Sequence, residues 1–439
     1  MSLATTEYDA VVVGAGFAGA AAATVLAERG ARVLVLETRQ RPGGRAYSWV
    51  DPKTGEIRDN GQHVMGAFYH ETLGFLRRIG AEAALEVEPT FDLHFWERGR
   101  GAFELRCPVL PAPLHWLAAL AGCSRLGARA RAAALRLPGR ARALLARNGA
   151  AASATVEGWL RESAGGEDLS VILCPLALAS LNERPSEGSA ALFARVLERI
   201  FSSPARATGL ALPRRGLSDL LDGFETYVTS RGGEVRYRAT ALGVRVERGA
   251  VTGLSMLGEP PVPCERLVLA VPHERAGWML APQHWSEYAE IARTPWSPIL
   301  STVHVFDRPV LPARFVGLLG TKTQWAFDRG AGGSGHAVGT VRSAAFEDVE
   351  RPSEEIASET AADLAEAFPD AREARLLGAH VFKERRATMR ALPGIDARRP
   401  PQETGVRGLA LAGDWTRTGL PPTIEGAVLS GHRAAALLR

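Results

Sequence analysis

Lysine is nearly absent from this chain: of its 52 basic residues, only Lys53, Lys322 and Lys383 are not arginine. Cysteine is almost as scarce, at four in 439 residues, and Cys107, Cys123, Cys174 and Cys264 stand far apart with no CxxC pair. That spacing speaks against a zinc site and a disulfide framework, so no metal is expected and a reducing compartment fits. No apolar run reaches the roughly 18 to 20 residues that a membrane-spanning helix needs. The nearest, "PVLPAPLHWLAALAGC" from Pro108 to Cys123, is broken by Pro111, Pro113 and His115. The opening "MSLATTEYDAVVV" has no basic stretch ahead of its apolar one and does not read as a secretory signal, so a cytoplasmic location is expected.

A net charge of +4 and a pI near 9.0 are too mild to argue for a nucleic-acid partner. With 46% apolar and 23% charged residues, the chain is composed like a soluble protein, and it is long enough for two or more cores.

What is present begins at once. "YDAVVVGAGFAGAAAATVLAERGARVLVLE" reads as a strand over Ala10–Val13, the turn Gly14-x-Gly16-x-x-Gly19, a small-residue helix to about Arg29, and a second strand over Val33–Leu36 closed by Glu37. Gly14 permits the tight turn, Gly16 lets backbone approach a pyrophosphate, and Gly19 allows the helix to pack on the sheet. The helix start holds phosphate charge, and Glu37 is placed to accept hydrogen bonds from a ribose diol. This much predicts dinucleotide binding without separating NAD from FAD.

Directly afterwards, "RPGGRA" contains Arg41-x-Gly43-Gly44-Arg45, and it resembles the RxGGR signature of the flavin amine oxidase and carotenoid desaturase superfamily. The resemblance implies FAD, with Gly43 and Gly44 passing close to it and Arg45 neutralising the pyrophosphate. At the other end, "GLALAGDWTRTGLPPTIEGAVLSG" predicts a strand over Leu409–Ala412, then Gly413-Asp414, then a helix starting near Pro421 or Pro422. In the resembled superfamily the aspartate holds the ribitol chain and the helix start points at the flavin pyrimidine. That assigns Gly413, Asp414, Thr423 and Ile424 to the cofactor. A positive helix end there stabilises anionic reduced flavin. In the middle, "GGEVRYRATALGVRVERGAVTGLSM" alternates around a turn at Arg248-Gly249, and "RLVLAVP" is a buried-strand candidate. Ala241 stands where the superfamily often sets a valine against adenine.

"DNGQHV", "LCPLALASLNERPSEGSAALFARVL" and the C-terminal stretch together are similar to the hydroxysqualene dehydroxylase family, over most of the chain. That resemblance implies reductive removal of a hydroxyl from a long isoprenoid, hydroxysqualene, to give squalene for hopanoid synthesis. Loss of hydroxide from an allylic alcohol needs a proton, and hydride from reduced FAD then completes the exchange. His63, in the turn that follows RxGGR, is read either as that proton donor or hydroxyl-orienting group, or as the residue that holds the turn. Tyr69 and Glu425 are reserves for which a structural role is favoured, and Asp59 is read as an anchor of the turn.

Between Glu104 and Glu157 no acidic residue occurs, yet eight arginines do. On a helix, Arg125, Arg129, Arg136, Arg140 and Arg147 share a face, with Leu126, Leu137, Leu144 and Leu145 turned away, and Pro138-Gly139 is expected to kink or split it. The pattern reads either as a basic face for an anionic membrane surface, with Trp116 as an interfacial anchor, or as a solvated helix in an arginine-biased chain.

The fold expected is α/β: a discontinuous Rossmann-like FAD domain from 1–75, 216–275 and 401–439, and a mixed α+β substrate domain from 76–215 and 276–400 with a membrane-facing helical part. The protein is expected at the inner face of the cytoplasmic membrane, peripherally bound. No second dinucleotide fingerprint marks an electron donor. Two other readings stand beside this one: a carotenoid-type desaturase or amine oxidase, and a lipid escort protein of the same fold without flavin chemistry.

Overall fold

The computed structural model describes residues 7–52, 55–146, 153–163, 167–280, 288–332 and 335–438. Ala10–Val13 and Val33–Glu37 are unbroken apolar or aliphatic runs up to Glu37, buried at every position. Strands covered on both faces need that pattern. They form the middle of a five-stranded parallel sheet whose order is 234–237, 33–37, 10–13, 267–269, 409–411. Each of the three separated stretches expected to build the FAD domain supplies strands to this sheet.

The helix Phe17–Glu28, "FAGAAAATVLAE", is buried from Phe17 to Ala27. Its small side chains admit close neighbours. A Cβ on Gly431 of the C-terminal helix, Ile424–Leu437, would stand 2.1 Å from the Ala18 carbonyl oxygen. The two ends of the chain therefore pack backbone against backbone.

A seven-stranded sheet lies wholly in the remaining stretches, in the order 376–389, 296–306, 335–343, 325–332, 315–319, 93–97, 101–105. Parallel pairing of Phe315–Leu319 with Leu93–Glu97 joins its two halves. Helices Leu114–Gly122, Ala128–Ala146, Val156–Ser163, Glu167–Leu181 and Ala190–Ser202 make up a helical part beside it.

That helical part corrects several expectations. Ala128–Ala146 is one helix with Pro138 inside it, neither split nor ended there. Ala130, Ala133, Ala134, Leu137, Ala141 and Leu144 are buried on one face and hold it through the missing hydrogen bond. Trp116 is fully buried against Phe91 and Phe201, so it is no interfacial anchor. Arg125 precedes the helix and pairs with Glu97, which removes it from a basic face. Arg129 and Arg136 do face outward, and Arg147 lies outside the described residues. The exposed apolar residues here are Val109, Leu110, Leu114 and Leu135. Among the described residues no helix is long and apolar enough to cross a membrane.

Candidate cofactor cradle and active site

Gly14 has a φ of +100°, and a Cβ there would sit 2.5 Å from the Ala270 carbonyl oxygen. Only glycine fits. Gly16 is the extended N-cap of the first helix, leaving its backbone open to a phosphate. A Cβ at Gly19 would meet the Gly14 oxygen at 1.8 Å, so the packing role expected of it holds. Glu37, buried at the end of its strand, accepts from the Ala15 and Arg39 amides at 2.8 Å each. Those bonds fix its carboxylate at the edge of the glycine turn.

The RxGGR segment abuts that turn. The Gly43 amide donates to the Ala15 carbonyl (2.9 Å), and a Cβ on Gly44 would stand 3.3 Å from the Gly16 Cα. Arg45 donates to the Ala387 carbonyl at 2.9 Å and to Asp414 Oδ1 at 2.5 Å. Arg41 lies over the Tyr47 ring at 3.6 Å, and its Nη1 is buried without a hydrogen-bond partner among the described residues. Nothing in the RxGGR spacing singles out Arg41 for this position.

From the C-terminal side, Gly413 has a φ of +145° and its amide donates to Ser430 Oγ at 2.8 Å. Asp414 follows, buried. The last helix starts at Ile424, with the Thr423 hydroxyl accepting from the Gly426 amide. This moves the start two or three residues past Pro421 and Pro422, because the Thr423 hydroxyl caps a free amide of the first turn. Thr423 and Ile424 thus stand at the positive end of the helix. Ala241 begins the strand 241–247, two residues past Ala239, whose amide bonds the Glu37 carbonyl. It therefore lies on the Glu37 side of the sheet.

The DNGQH turn is fastened to RxGGR. Asn60 donates from Nδ2 to the Arg45 carbonyl (2.6 Å), accepts from the Tyr47 amide (3.1 Å), and donates its own amide to the Tyr47 carbonyl (3.0 Å). Asp59 anchors the turn as expected, accepting from Ser48 Oγ, the Leu217 amide and Arg329. His63 Nδ1 donates to the Gly61 carbonyl at 3.1 Å, because a carbonyl can only accept. Burial pushes its pKa down, so the ring is neutral near pH 7 and Nε2 keeps its lone pair. Across from the turn, a Cβ on Gly61 would come within 3.1 Å of Ser301 Oγ, a buried hydroxyl without a partner among the described residues. Ser301, which reaches the turn from the seven-stranded sheet, stands in no motif of the sequence.

Tyr69 and Glu425 take structural places. Burial first, then the Glu425 charge, pushes the Tyr69 phenol up to about 12. Glu425 is buried and accepts from the amides of Glu71 and Thr72, the Thr72 hydroxyl, and Arg199. It therefore caps the helix His70–Ile79.

The segment "LNERPSEGSAALF" is a joint. Asn182, at a φ of +51°, donates to the Ser297 carbonyl and Thr388 Oγ1 and accepts from the Ala344 amide. Glu183 is buried against Arg390, and Ser189 caps the helix Ala190–Ser202.

Two glycine turns in contact, a helix start, an arginine with a buried unpaired nitrogen and an Arg45–Asp414 pair suit a dinucleotide with an elongated, doubly charged centre. A flavin amine oxidoreductase profile, flavin-containing amine oxidoreductase, matches residues 17–439. The chain belongs to that family. The flavoprotein is 31% identical to a hydroxysqualene dehydroxylase from Rhodopseudomonas palustris, over 97% of each chain, and so it belongs with the hydroxysqualene dehydroxylases within the family. It is 25% identical to a 15-cis-phytoene desaturase from Solanum lycopersicum, covering 98% of this chain and 77% of that one. It shares the fold of an oxidoreductase from Methanosarcina mazei, with a TM-score of 0.76, 18% identity and 96% and 98% of the two chains covered. This is an FAD-dependent oxidoreductase of mixed α/β fold. Gly14, Gly16, Gly43, Gly44, Arg45, Asp414 and the helix start at Thr423–Ile424 are the residues that would hold FAD.

Proposed function

We propose that this protein reductively removes the hydroxyl of hydroxysqualene, giving squalene for hopanoid synthesis. The observation that carries this reading is the fastening of the Gly61–His63 turn to the cofactor segment through Asn60, in a chain that matches a named dehydroxylase from end to end. In the reaction a C–O bond breaks and a C–H bond forms, while the hydroxyl leaves as water with a proton from the medium.

FAD, when bound and reduced, supplies the hydride. His63 presents the Nε2 lone pair to the substrate hydroxyl and orients it, and Ser301 offers a second buried hydrogen-bonding group. Tyr69 and Glu425 hold the helices that frame the turn. A neutral imidazole suits orientation better than a standing proton supply, and its Nδ1 bond to the Gly61 carbonyl supports the turn-holding role beside it.

The desaturase reading is the weaker one, since that relative is less similar and extends well beyond this chain. The escort reading is disfavoured by a glycine and arginine cradle that is complete.

The substrate is a hydrocarbon that gains about 0.8 kcal/mol per CH₂ on leaving water but almost nothing on moving from bilayer to pocket. We place the lipid contact at the exposed stretch around Val109, Leu110 and Leu114, with the outward Arg129 and Arg136 of the following helix as candidate partners for anionic headgroups, on the inner face of the cytoplasmic membrane. The test of the activity is anaerobic incubation of the reduced protein with hydroxysqualene, phytoene or an amine. Squalene from the first alone is expected, and oxidation of either of the others would overturn the assignment.

A further inference from the structure

An open cleft of about 390 Å³ lies among the helices Ala128–Ala146, Ala190–Ser202 and Ile424–Leu437. None of its lining residues belongs to the cofactor cradle. Its walls carry four arginines, Arg142, Arg195, Arg199 and Arg433, and a single carboxylate, Glu198. Arg195, Glu198, Arg199 and Ser202 recur at i, i+3, i+4 and i+7, which sets them on one face of their helix. Arg142 and Arg433 reach in from the other two.

The charges do not cancel. Arg195 is paired with Glu198, and Arg199 with the buried Glu425 behind it. Among the described residues the hydrogen bond of Arg433 is to a backbone oxygen, that of Arg417, and its charge acts on Glu71 without an ion pair. Among the described residues Arg142 has no hydrogen bond or ion pair. Two guanidinium groups thus line the concavity with no ion-pair partner among the described residues, its one carboxylate, Glu198, being paired with Arg195, and the surplus positive charge favours entry of an anion. Guanidinium forks match phosphate oxygens two at a time, and the Ser202 hydroxyl lies on the same wall. So charged a lining does not suit a hydrocarbon.

We propose that this cleft is a binding site for a phosphate or diphosphate group, separate from the FAD phosphates. The group comes either from a soluble phosphate ester or from an anionic lipid headgroup.

Arg142 and Arg433 are the residues to change, because Arg199 also holds Glu425. Calorimetric titration of the full-length, FAD-loaded protein with inorganic diphosphate, at fixed ionic strength, is expected to show saturable one-to-one binding. The pair Arg142→Glu with Arg433→Glu is expected to weaken it by about tenfold or more, as loss of two charge-assisted contacts requires, with FAD content unchanged. The control pair Arg293→Glu with Arg407→Glu, at exposed positions outside the cleft, changes net charge equally and is expected to leave affinity as it was. Absence of saturable binding in the unaltered protein, or equal weakening in the control pair, would overturn the proposal. Competition then separates the sources: phosphatidic acid vesicles that displace diphosphate from the unaltered protein assign a lipid headgroup, and vesicles that leave it bound assign a soluble ester.

Discussion

Arg45 and Asp414 meet at 2.5 Å, although 369 residues separate them in the chain. The pair joins the RxGGR segment to the C-terminal helix entry, the two places where a pyrophosphate and a ribitol would be held. Its formation sets the spacing of the cradle and keeps the guanidinium within reach of a phosphate.

Arg45→Ala should therefore lower FAD retention. Loss of a charge-assisted contact is worth about 1.5–3 kcal/mol, or roughly 10- to 100-fold in affinity. Arg45→Lys should recover only part, because an ammonium does not reproduce the fork that spans Ala387 and Asp414. The ratio of flavin to protein absorbance after dialysis is the readout, and equal retention in all three proteins would remove Arg45 from the cradle.

A second prediction compares two helical glycines. Gly431→Ala drives a methyl group toward the Ala18 carbonyl, at 2.1 Å, whereas Gly74→Ala meets nothing within 4 Å. The first should destabilise the protein by about 1–3 kcal/mol or more. The second should be neutral or stabilising by up to about 1 kcal/mol. Thermal melts of the two variants decide it, and similar midpoints would mean that the helices do not pack as described.

The third concerns pH. Burial lowers the pKa of His63, His115, His273 and His304. In the window between those folded values and the unfolded value near 6.5, the unfolded chain binds more protons, so stability is present above it and falls as pH falls through it. The melting temperature should decline from pH 7 to pH 5, and a midpoint rising toward acid would contradict the burial of these rings. For activity, kcat/KM should stay level at neutral pH and drop only on the acid side of the ordinary imidazole range, as Nε2 of His63, its pKa held down by burial, takes a proton. A rate that climbs steadily with acid would instead make His63 a proton donor.

A fourth prediction concerns lipid. Changing Val109, Leu110 and Leu114 together to Ser should reduce flotation with anionic vesicles by about tenfold, since exposed apolar side chains lose their gain on entering the interface. Trp116→Phe, at a buried position, should leave flotation unchanged. Flotation that survives the triple change would place the contact elsewhere.

The cradle was legible in the sequence because its glycines serve local backbone geometry. Gly14, Gly16 and Gly19 have their roles within six residues, and Asp414 follows a short strand directly. The turn at Arg248-Gly249 was equally readable, and both residues have positive φ. The surface roles of Arg125 and Trp116 were not. Helical periodicity assigns a face, but whether that face meets water or protein depends on partners distant in the chain, here Glu97 and Phe201. Ser301 escaped notice for the same reason: its relation to Gly61 exists only once the seven-stranded sheet is laid over the cofactor segment. Pro421 and Pro422 point to a helix start two or three residues too early, because the capping oxygen of Thr423 sets it.

The most direct test is a single turnover. The protein, reduced with light under anaerobic conditions and mixed with one equivalent of hydroxysqualene, should regain the absorbance of oxidised flavin and release one squalene per flavin. Flavin that stays reduced in the presence of substrate, or oxidised protein that consumes hydroxysqualene while becoming reduced, would contradict the account.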